Sequence, residues 1–281
     1  MARDNSIVIL GGRGMLGNDV ALACRQLGIE SVIFDLPECD ITNDDHLQKS
    51  ISKAGIIINC AAYTNVDGAQ SQAELAYKVN AEAVGRLGAI ANENDIWVLH
   101  ISTDFVFDGH QDKPYLETDH PNPINEYGIS KLTGEKLLTQ SGCNYCIMRV
   151  EWTYGSAGNN FVSKLIKRAG TNDTIHVVDD QVGSPTATTQ AADAICKLLK
   201  TKPNGIFHFA NSGYVSRFKM AEFIFDKLSI NVNLLPCKTS DYVTPAQRPL
   251  NSCFNCSKIS KLLGEQIEPW QIVLERYLKK L

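Results

Sequence analysis

Residues 6–17 read "SIVILGGRGMLG": an apolar run, a cluster of glycines, and the start of a stretch with helical periodicity that reaches about residue 27. A strand that enters a glycine loop and leaves it as a helix suits one ligand chemistry above others. Glycines permit a tight turn and a close backbone approach, and a helix N-terminus carries positive partial charge, so a pyrophosphate fits there. Two templates are satisfied, Gly12-x-Gly14-x-x-Gly17 and Gly11-x-x-Gly14-x-x-Gly17, with Met15 and Leu16 in the same turn. A second apolar run, "SVIFD" (31–35), ends on Asp35, about 18 residues beyond Gly17. An acid at that place accepts the hydroxyls of an adenosine ribose.

Strand-like and helix-like segments keep alternating beyond this unit. A helix near 43–53 precedes "IIINC" (56–60), and a long helical stretch at 71–93 precedes "IWVLHIS" (96–102). A proline-rich loop, a helix from 126, and "NYCIMRV" (144–150) complete the series. These strands are continuous apolar runs, the mark of a parallel sheet covered by helices on both faces. The expected fold is α/β: a Rossmann-type doubly wound parallel sheet over residues 1–155, binding NAD(P). Beyond it, helices near 160–169, 187–200, 217–228, 257–263 and 270–280 mix with strands at 174–178 and 205–211. Loops such as "DDQVGSPT" and "TPAQRPLNS" separate them. Residues 156–281 are therefore expected to form a smaller substrate-binding lobe over the carboxyl ends of the strands, interleaved with the first part.

Of the 281 residues, 44% are hydrophobic and 21% charged, which fits a folded globular chain and excludes a disordered one. A net charge of −4 with no basic block excludes nucleic acid as a partner. The first apolar run is too short for a secretory leader and nothing later approaches a membrane span, so a cytoplasmic location is expected. Nine scattered cysteines fit a reducing compartment. The Cys143/Cys146 and Cys253/Cys256 spacings lie far apart with no ribbon-like turn beside them, and no metal site is read from them.

"EYGISKLTGEKLL" (126–138) places Tyr127, Lys131, Gly134 and Leu138 at i, i+4, i+7 and i+11, one stripe of a helix. Leu138 turns that stripe inward, and an inward lysine carries a desolvation cost that needs a reason. At the carboxyl end of the fourth strand, "STDFVFDG" (102–109) sets Ser102, Thr103 and Asp104 where open α/β sheets bind ligands.

A glycine loop, hydroxyls at the fourth strand and a Tyr-x-x-x-Lys helix, in this order, resemble the short-chain dehydrogenase/reductase superfamily. The likeness narrows further. "GGRGMLG", "NCAAYTNVDGAQ", "STDFVFDG", "EYGISKLTGE", "GNNF", "DDQVGSPT" and "QRPLNS" resemble, in order and near spacing, the dTDP-4-dehydrorhamnose reductases over nearly the whole chain. The resemblance implies NADH- or NADPH-dependent reduction of the C4 keto group of a nucleotide-linked 6-deoxyhexose, giving dTDP-L-rhamnose for cell-surface polysaccharide. It implies that Tyr127 is the general acid, that Thr103 orients the carbonyl oxygen, and that Lys131 binds the nicotinamide ribose and lowers the pKa of the phenol. By the same likeness Ala61, Ala62 and Tyr63 run beside the cofactor, Trp152 lies beside the sugar, and Asn160 and Arg248 line the nucleotide-sugar pocket with Asp104. Asp35 favours NADH, while Arg13 could reach a 2′-phosphate, so the balance leans to NADH with appreciable NADPH use.

Two departures from the family pattern stand out. Glu151 replaces a small hydroxyl residue before Trp152, and Gln70 replaces a glutamate. Gln70 reads as surface variation. Strand alternation turns Glu151 outward in the favoured reading; an inward Glu151 would change the choice of sugar. Some relatives hold a metal between subunits on acidic residues, but only Asp19 matches such a position here, and no metal is expected. A homodimer is compatible with the pattern. Two other functions share this pattern: a reductase of a different keto sugar, and a non-catalytic subunit like the methionine adenosyltransferase β subunit. An intact Thr103, Tyr127 and Lys131 set argues against the second.

Overall fold

The first strand, β1 (Ile7–Leu10), is buried along its whole length, with alternate side chains entering different cores. Ile7 and Ile9 join one apolar cluster, Val8 and Leu10 the other. Each such fully buried side chain contributes roughly 1.5–3 kcal/mol over exposure. That alternation is why a continuous apolar run marks a strand covered on both faces. The computed structural model describes residues 6–281; residues 1–5, the start of the stretch weighed as a leader, lie outside the described residues.

From β1 the chain runs through α1 (Met15–Gln26), β2 (Ser31–Phe34), α2 (Asp44–Ile51), β3 (Ile56–Asn59), α3 (Val66–Ala69), α4 (Ala73–Tyr77) and α5 (Ala83–Glu93). Then follow β4 (Trp97–Thr103), α6 (Glu126–Gln140) and β5 (Tyr145–Val150). The second half holds β6 (Thr153–Tyr154), α7 (Phe161–Ala169), β7 (Thr174–Val178), β8 (Val182–Gly183), β9 (Thr186–Ala187), α8 (Thr188–Thr201) and β10 (Gly205–Phe209). It closes with β11 (Val215–Ser216), α9 (Arg217–Leu228), β12 (Asn233–Cys237), α10 (Ser257–Leu263) and α11 (Trp270–Leu278).

The six-stranded sheet has the order β2-β1-β3-β4-β5-β10, every pair parallel. From β1 the chain steps one way to β2 and then crosses to β3 on the other side. This reversal opens a crevice at the carboxyl ends of β1 and β3, where open α/β sheets take their ligands. β10 comes from the second half of the chain yet completes this sheet, and α8 packs with α1 in one core. A separate core joins α7, α9, α11 and the β7–β12 pair into the smaller lobe.

Three expectations need correction. β2 is not buried on both faces: it is the sheet's edge, and Val32 and Ile33 stay half exposed because no strand lies beyond them. The helix read at 71–93 is interrupted by a π-helical turn at Lys78–Glu82. There the backbone meets α6 so closely that a Cβ at Gly134 would lie 2.0 Å from the Asn80 carbonyl oxygen. The wide turn accommodates that contact and aims the Asn80 side chain at the loop after β3. Finally, β12 lies in a stretch to which the sequence reading assigns no element; it is short and largely exposed, so it gives no alternating or fully buried pattern.

Candidate active site

Gly11 has φ +69°, and a Cβ there would stand 2.5 Å from the Ala61 nitrogen. A Cβ on Gly17 would lie 2.2 Å from the Gly11 carbonyl oxygen. These two positions admit only glycine, and with Gly14 they form a cradle at the first turn of α1. Gly12 instead packs on the Ile33 side chain. Of the two templates, Gly11-x-x-Gly14-x-x-Gly17 is therefore the one that faces the cavity, a cleft of about 630 Å³. Met15, Leu16, Ala61, Ala62 and Asp35 share its wall. Tyr63 does not: its backbone bonds to the Asn80 amide and its hydroxyl to Gln72, so its side chain is turned away.

The Asp35 carboxylate accepts the Arg13 and Leu36 N–H groups, each at 2.8 Å. Arg13 does not reach toward the cavity. Its guanidinium grips both oxygens of Glu38, at 2.5 and 2.9 Å, and donates to the Leu36 carbonyl. Both partners are more than half exposed, so this pair is weak and open to exchange.

The far end of the cleft is built from β4 and α6. A Cβ on Gly128 would lie 2.1 Å from the Phe105 carbonyl oxygen, so the first turn of α6 sits directly on the turn that follows β4. Asn125 caps that helix by accepting the Gly128 N–H at 2.8 Å. This close fit brings Tyr127 beside Thr103 and Asp104 on the cavity wall, with the Tyr127 ring edge-on to Phe105. Thr103 Oγ donates to Asp104 at 2.9 Å and accepts the Phe105 N–H at 3.2 Å. Asp104 also accepts from Ser252 at 2.5 Å, and its burial raises its pKa. Ser102 also belongs to the cavity wall, with its Oγ buried and without a hydrogen-bond partner among the described residues.

Tyr127 titrates well above the ordinary tyrosine value. Burial is the main cause, the Asp104 carboxylate adds to it, and a hydrogen bond with Thr103 partly offsets it. The expectation that Lys131 lowers this pKa is not met. The Lys131 ammonium is directed at the Ile101 carbonyl, at 2.6 Å, and His100 Nε2, at 3.3 Å, rather than at the phenol. Lys131 itself is pushed down to about 8 by burial, with Glu135 and Cys60 opposing the shift.

Also on the cavity wall, Trp152 adopts φ +46°, an unusual strain for a bulky residue. Its ring lies under the Arg217 guanidinium, 3.5 Å from its centroid, and Arg217 also faces Phe161 at 4.9 Å. Burial lowers Arg217 to about 9 while Asp104 and Glu151 hold its charge through space. The sequence reading missed Arg217, which opens α9 in no motif; only the lobe's packing brings it to the cleft. The arginine that was expected there, Arg248, is instead bound to both oxygens of Asp67, each at 2.6 Å, and lies off the cavity wall. Asn160 does line the cleft, but its amide is engaged in capping α7 and in a bond to the Gly155 carbonyl.

Glu151 is not turned outward. It is 1% exposed, and its two oxygens accept the Ser184 N–H at 2.7 Å and the Phe254 N–H at 3.1 Å. It ties two loops together behind the cavity wall, which it does not line. Gln70 is exposed yet holds α6 in place by accepting the Glu126 N–H at 2.8 Å. Asp19 is buried on α1 and bonded to Thr188. Among the described residues no cluster of metal-ligating side chains occurs.

The model of the RmlD substrate binding domain matches residues 5–281. A dTDP-4-dehydrorhamnose reductase of Aggregatibacter actinomycetemcomitans is 38% identical over 96% of this chain and 97% of its own. The crystal structure of a dTDP-4-dehydrorhamnose reductase from Clostridium acetobutylicum superposes with a TM-score of 0.94 at 36% identity, covering 98% of this chain and 99% of that one. The enzyme of the same name from Bacillus anthracis, solved in complex with NADP, gives 0.94 at 35% identity over 99% and 100% of the two chains.

Proposed function

This chain belongs to the dTDP-4-dehydrorhamnose reductase family, and we propose that it reduces the C4 keto group of dTDP-4-dehydrorhamnose to give dTDP-L-rhamnose, with NADH or NADPH as reductant. The observation that carries the reading is one cleft with a glycine cradle at one end and the Tyr127 phenol beside Thr103 at the other. No helix among the described residues is long and apolar enough to cross a membrane.

The cradle fits a dinucleotide on three counts. Gly11 and Gly17 let the loop backbone close up tightly at the mouth of the cleft where any Cβ would collide with it, the first turn of α1 suits a pyrophosphate, and Asp35 suits ribose hydroxyls. When bound, the nicotinamide supplies hydride. Tyr127 then protonates the sugar oxygen, which Thr103 orients. Its raised pKa keeps the phenol protonated near neutral pH, and transfer to an alkoxide, a far stronger base than phenolate, remains downhill. Lys131 holds the nicotinamide ribose. Arg217, stacked on Trp152, takes the substrate's diphosphate, from the pocket-lining position expected of Arg248. Glu151 has both oxygens bound to backbone and stands off the cavity wall, so it supports no change of sugar.

For the cofactor, Asp35 disfavours a 2′-phosphate while the exchangeable Arg13–Glu38 pair can release a guanidinium toward one. Both reductants are therefore used.

The test is NAD(P)H consumption by the purified chain across a panel of nucleotide-linked 4-keto sugars. Turnover should be fastest on dTDP-4-dehydrorhamnose, and the Arg217→Met variant should raise KM about tenfold or more, a loss of about 1.4 kcal/mol of binding. Preference for another keto sugar, or no turnover at all, would overturn the assignment.

A further inference from the structure

Behind Lys131 a line of buried polar groups crosses the sheet. Asn59 on β3 and His100 on β4 are register partners, and both are almost completely buried. Asn59 Nδ2 lies 3.1 Å from His100 Nδ1, and His100 Nε2 lies 3.3 Å from Lys131 Nζ.

The Ala61 N–H fixes how these groups are wired. A backbone N–H can only donate, and this one donates to Asn59 Oδ1 at 3.1 Å. The asparagine oxygen is thereby committed, so its NH₂ group faces the imidazole and donates to Nδ1. An accepting Nδ1 carries no proton. Burial, the largest cause, holds His100 neutral, well below the ordinary histidine range. A neutral imidazole has one N–H, which must then be on Nε2, aimed at the lysine nitrogen.

An N–H aimed at an ammonium is a contact between two donors. Aimed at an amine lone pair, it is a hydrogen bond, and the amine can still donate to the Ile101 carbonyl. We propose that His100 is a positioning residue for Lys131: held by Asn59 as the Nε2–H tautomer, it presents a donor to Lys131 Nζ and favours the amine over the ammonium. The low lysine value, about 8, agrees with this arrangement.

The other groups around Lys131 do not reverse it. On its own helix, Tyr127 is a neutral phenol, and Glu135 is spent on a buried ion pair with Arg149 from β5, at 2.8 and 2.6 Å. From the loop after β3, Cys60 is a thiol pushed up to about 12 by burial. From the end of β4, Asp104 faces Tyr127 and Ser252. Lys131 consequently changes charge close to working pH, and the His100 tautomer sets where.

This inference rests on the proposed function only for its effect on turnover; the tautomer can be read without activity. His208 supplies an internal reference, because its Nδ1 lies 3.0 Å from the Tyr115 carbonyl, and its Nε2 faces Arg149 at 3.3 Å. It must be the Nδ1–H form. Nitrogen-15 spectra of the full chain labelled at histidine should therefore show two neutral buried imidazoles with opposite tautomers. If His100 carries its proton on Nδ1, the inference is overturned, whatever the activity.

The second arm uses Asn59→Asp, whose carboxylate still accepts the Ala61 N–H but now accepts from Nδ1 as well. The His100 proton should move to Nδ1, and the alkaline limb of the kcat/KM profile should shift upward by one pH unit or more. The added charge alone would move the limb and leave the proton on Nε2. A purely structural role for His100 would lower kcat with the limb unmoved. Either result would refute the inference. Failure of the wild-type chain to reduce any keto sugar would refute the proposed function instead, leaving the spectra to judge His100.

Discussion

Replacing Lys131 by methionine should make the protein more stable at neutral pH while crippling it as a reductase. Lys131 is 2% exposed, and burial lowers its pKa from 10.5 to about 8. The unfolded chain holds the lysine proton more tightly than the native one, so stability falls as pH drops from about 10.5 to about 8 and levels off below that. At about 1.4 kcal/mol per pH unit, the native state bears a cost of up to about 3 kcal/mol at pH 7. By pH 10 less than about 1 kcal/mol of it remains. Methionine has similar length and no charge, so it removes this term. The lost bond to the Ile101 carbonyl is missing at both pH values and cancels from the comparison. Thermal unfolding of wild type and variant, side by side at pH 7 and pH 10, measures the difference. The variant's midpoint relative to wild type should be higher at pH 7 than at pH 10 by about 2–6 °C, allowing roughly 2 °C per kcal/mol for a chain of this size. An offset that is the same at both pH values, or larger at pH 10, would show that Lys131 carries no desolvation cost.

Three further outcomes follow from the site. Tyr127→Phe keeps the ring against Phe105 and removes only the donor, so kcat should fall about 100- to 10,000-fold with cofactor affinity nearly unchanged in a binding titration; near-normal turnover would remove Tyr127 as the acid. Glu38→Gln releases the Arg13 guanidinium from its ion pair, and kcat/KM for NADPH relative to NADH should rise about tenfold, worth about 1.4 kcal/mol; an unchanged ratio would show that Arg13 never meets the 2′-phosphate. Glu151→Ser strands the Ser184 and Phe254 N–H groups in a buried place, at about 1–3 kcal/mol each, and the unfolding midpoint should drop by about 4–12 °C without a gain on any other sugar; a tenfold gain in kcat/KM on dTDP-4-dehydrorhamnose would mean that the carboxylate had been excluding it.

The parallel sheet, the glycine cradle and the Tyr127–Lys131 stripe were legible in the sequence, because each depends on short-range rules. Apolar runs repeat along a strand, glycines answer a local steric demand, and residues four apart share a helix face. The same rules misjudged β2, since an edge strand and a central one can carry similar apolar runs. They also could not detect the π-helical turn at Lys78–Glu82, which answers to a glycine on another helix, Gly134. Where a charged side chain is directed depended wholly on the fold. Arg248 and Arg217 are both arginines in the second half of the chain; Asp67 occupies one, and the packing of α9 turns the other onto Trp152 and the cleft. Glu151 would point outward by simple alternation, but two loops, each about 30 or 100 residues away in sequence, bring their N–H groups to its oxygens and hold it inside. Sequence determines which groups are available and what backbone they prefer. Only tertiary structure decides which partner reaches a charge first, because ion pairs and buried hydrogen bonds are settled over a few ångströms between segments that lie far apart along the chain.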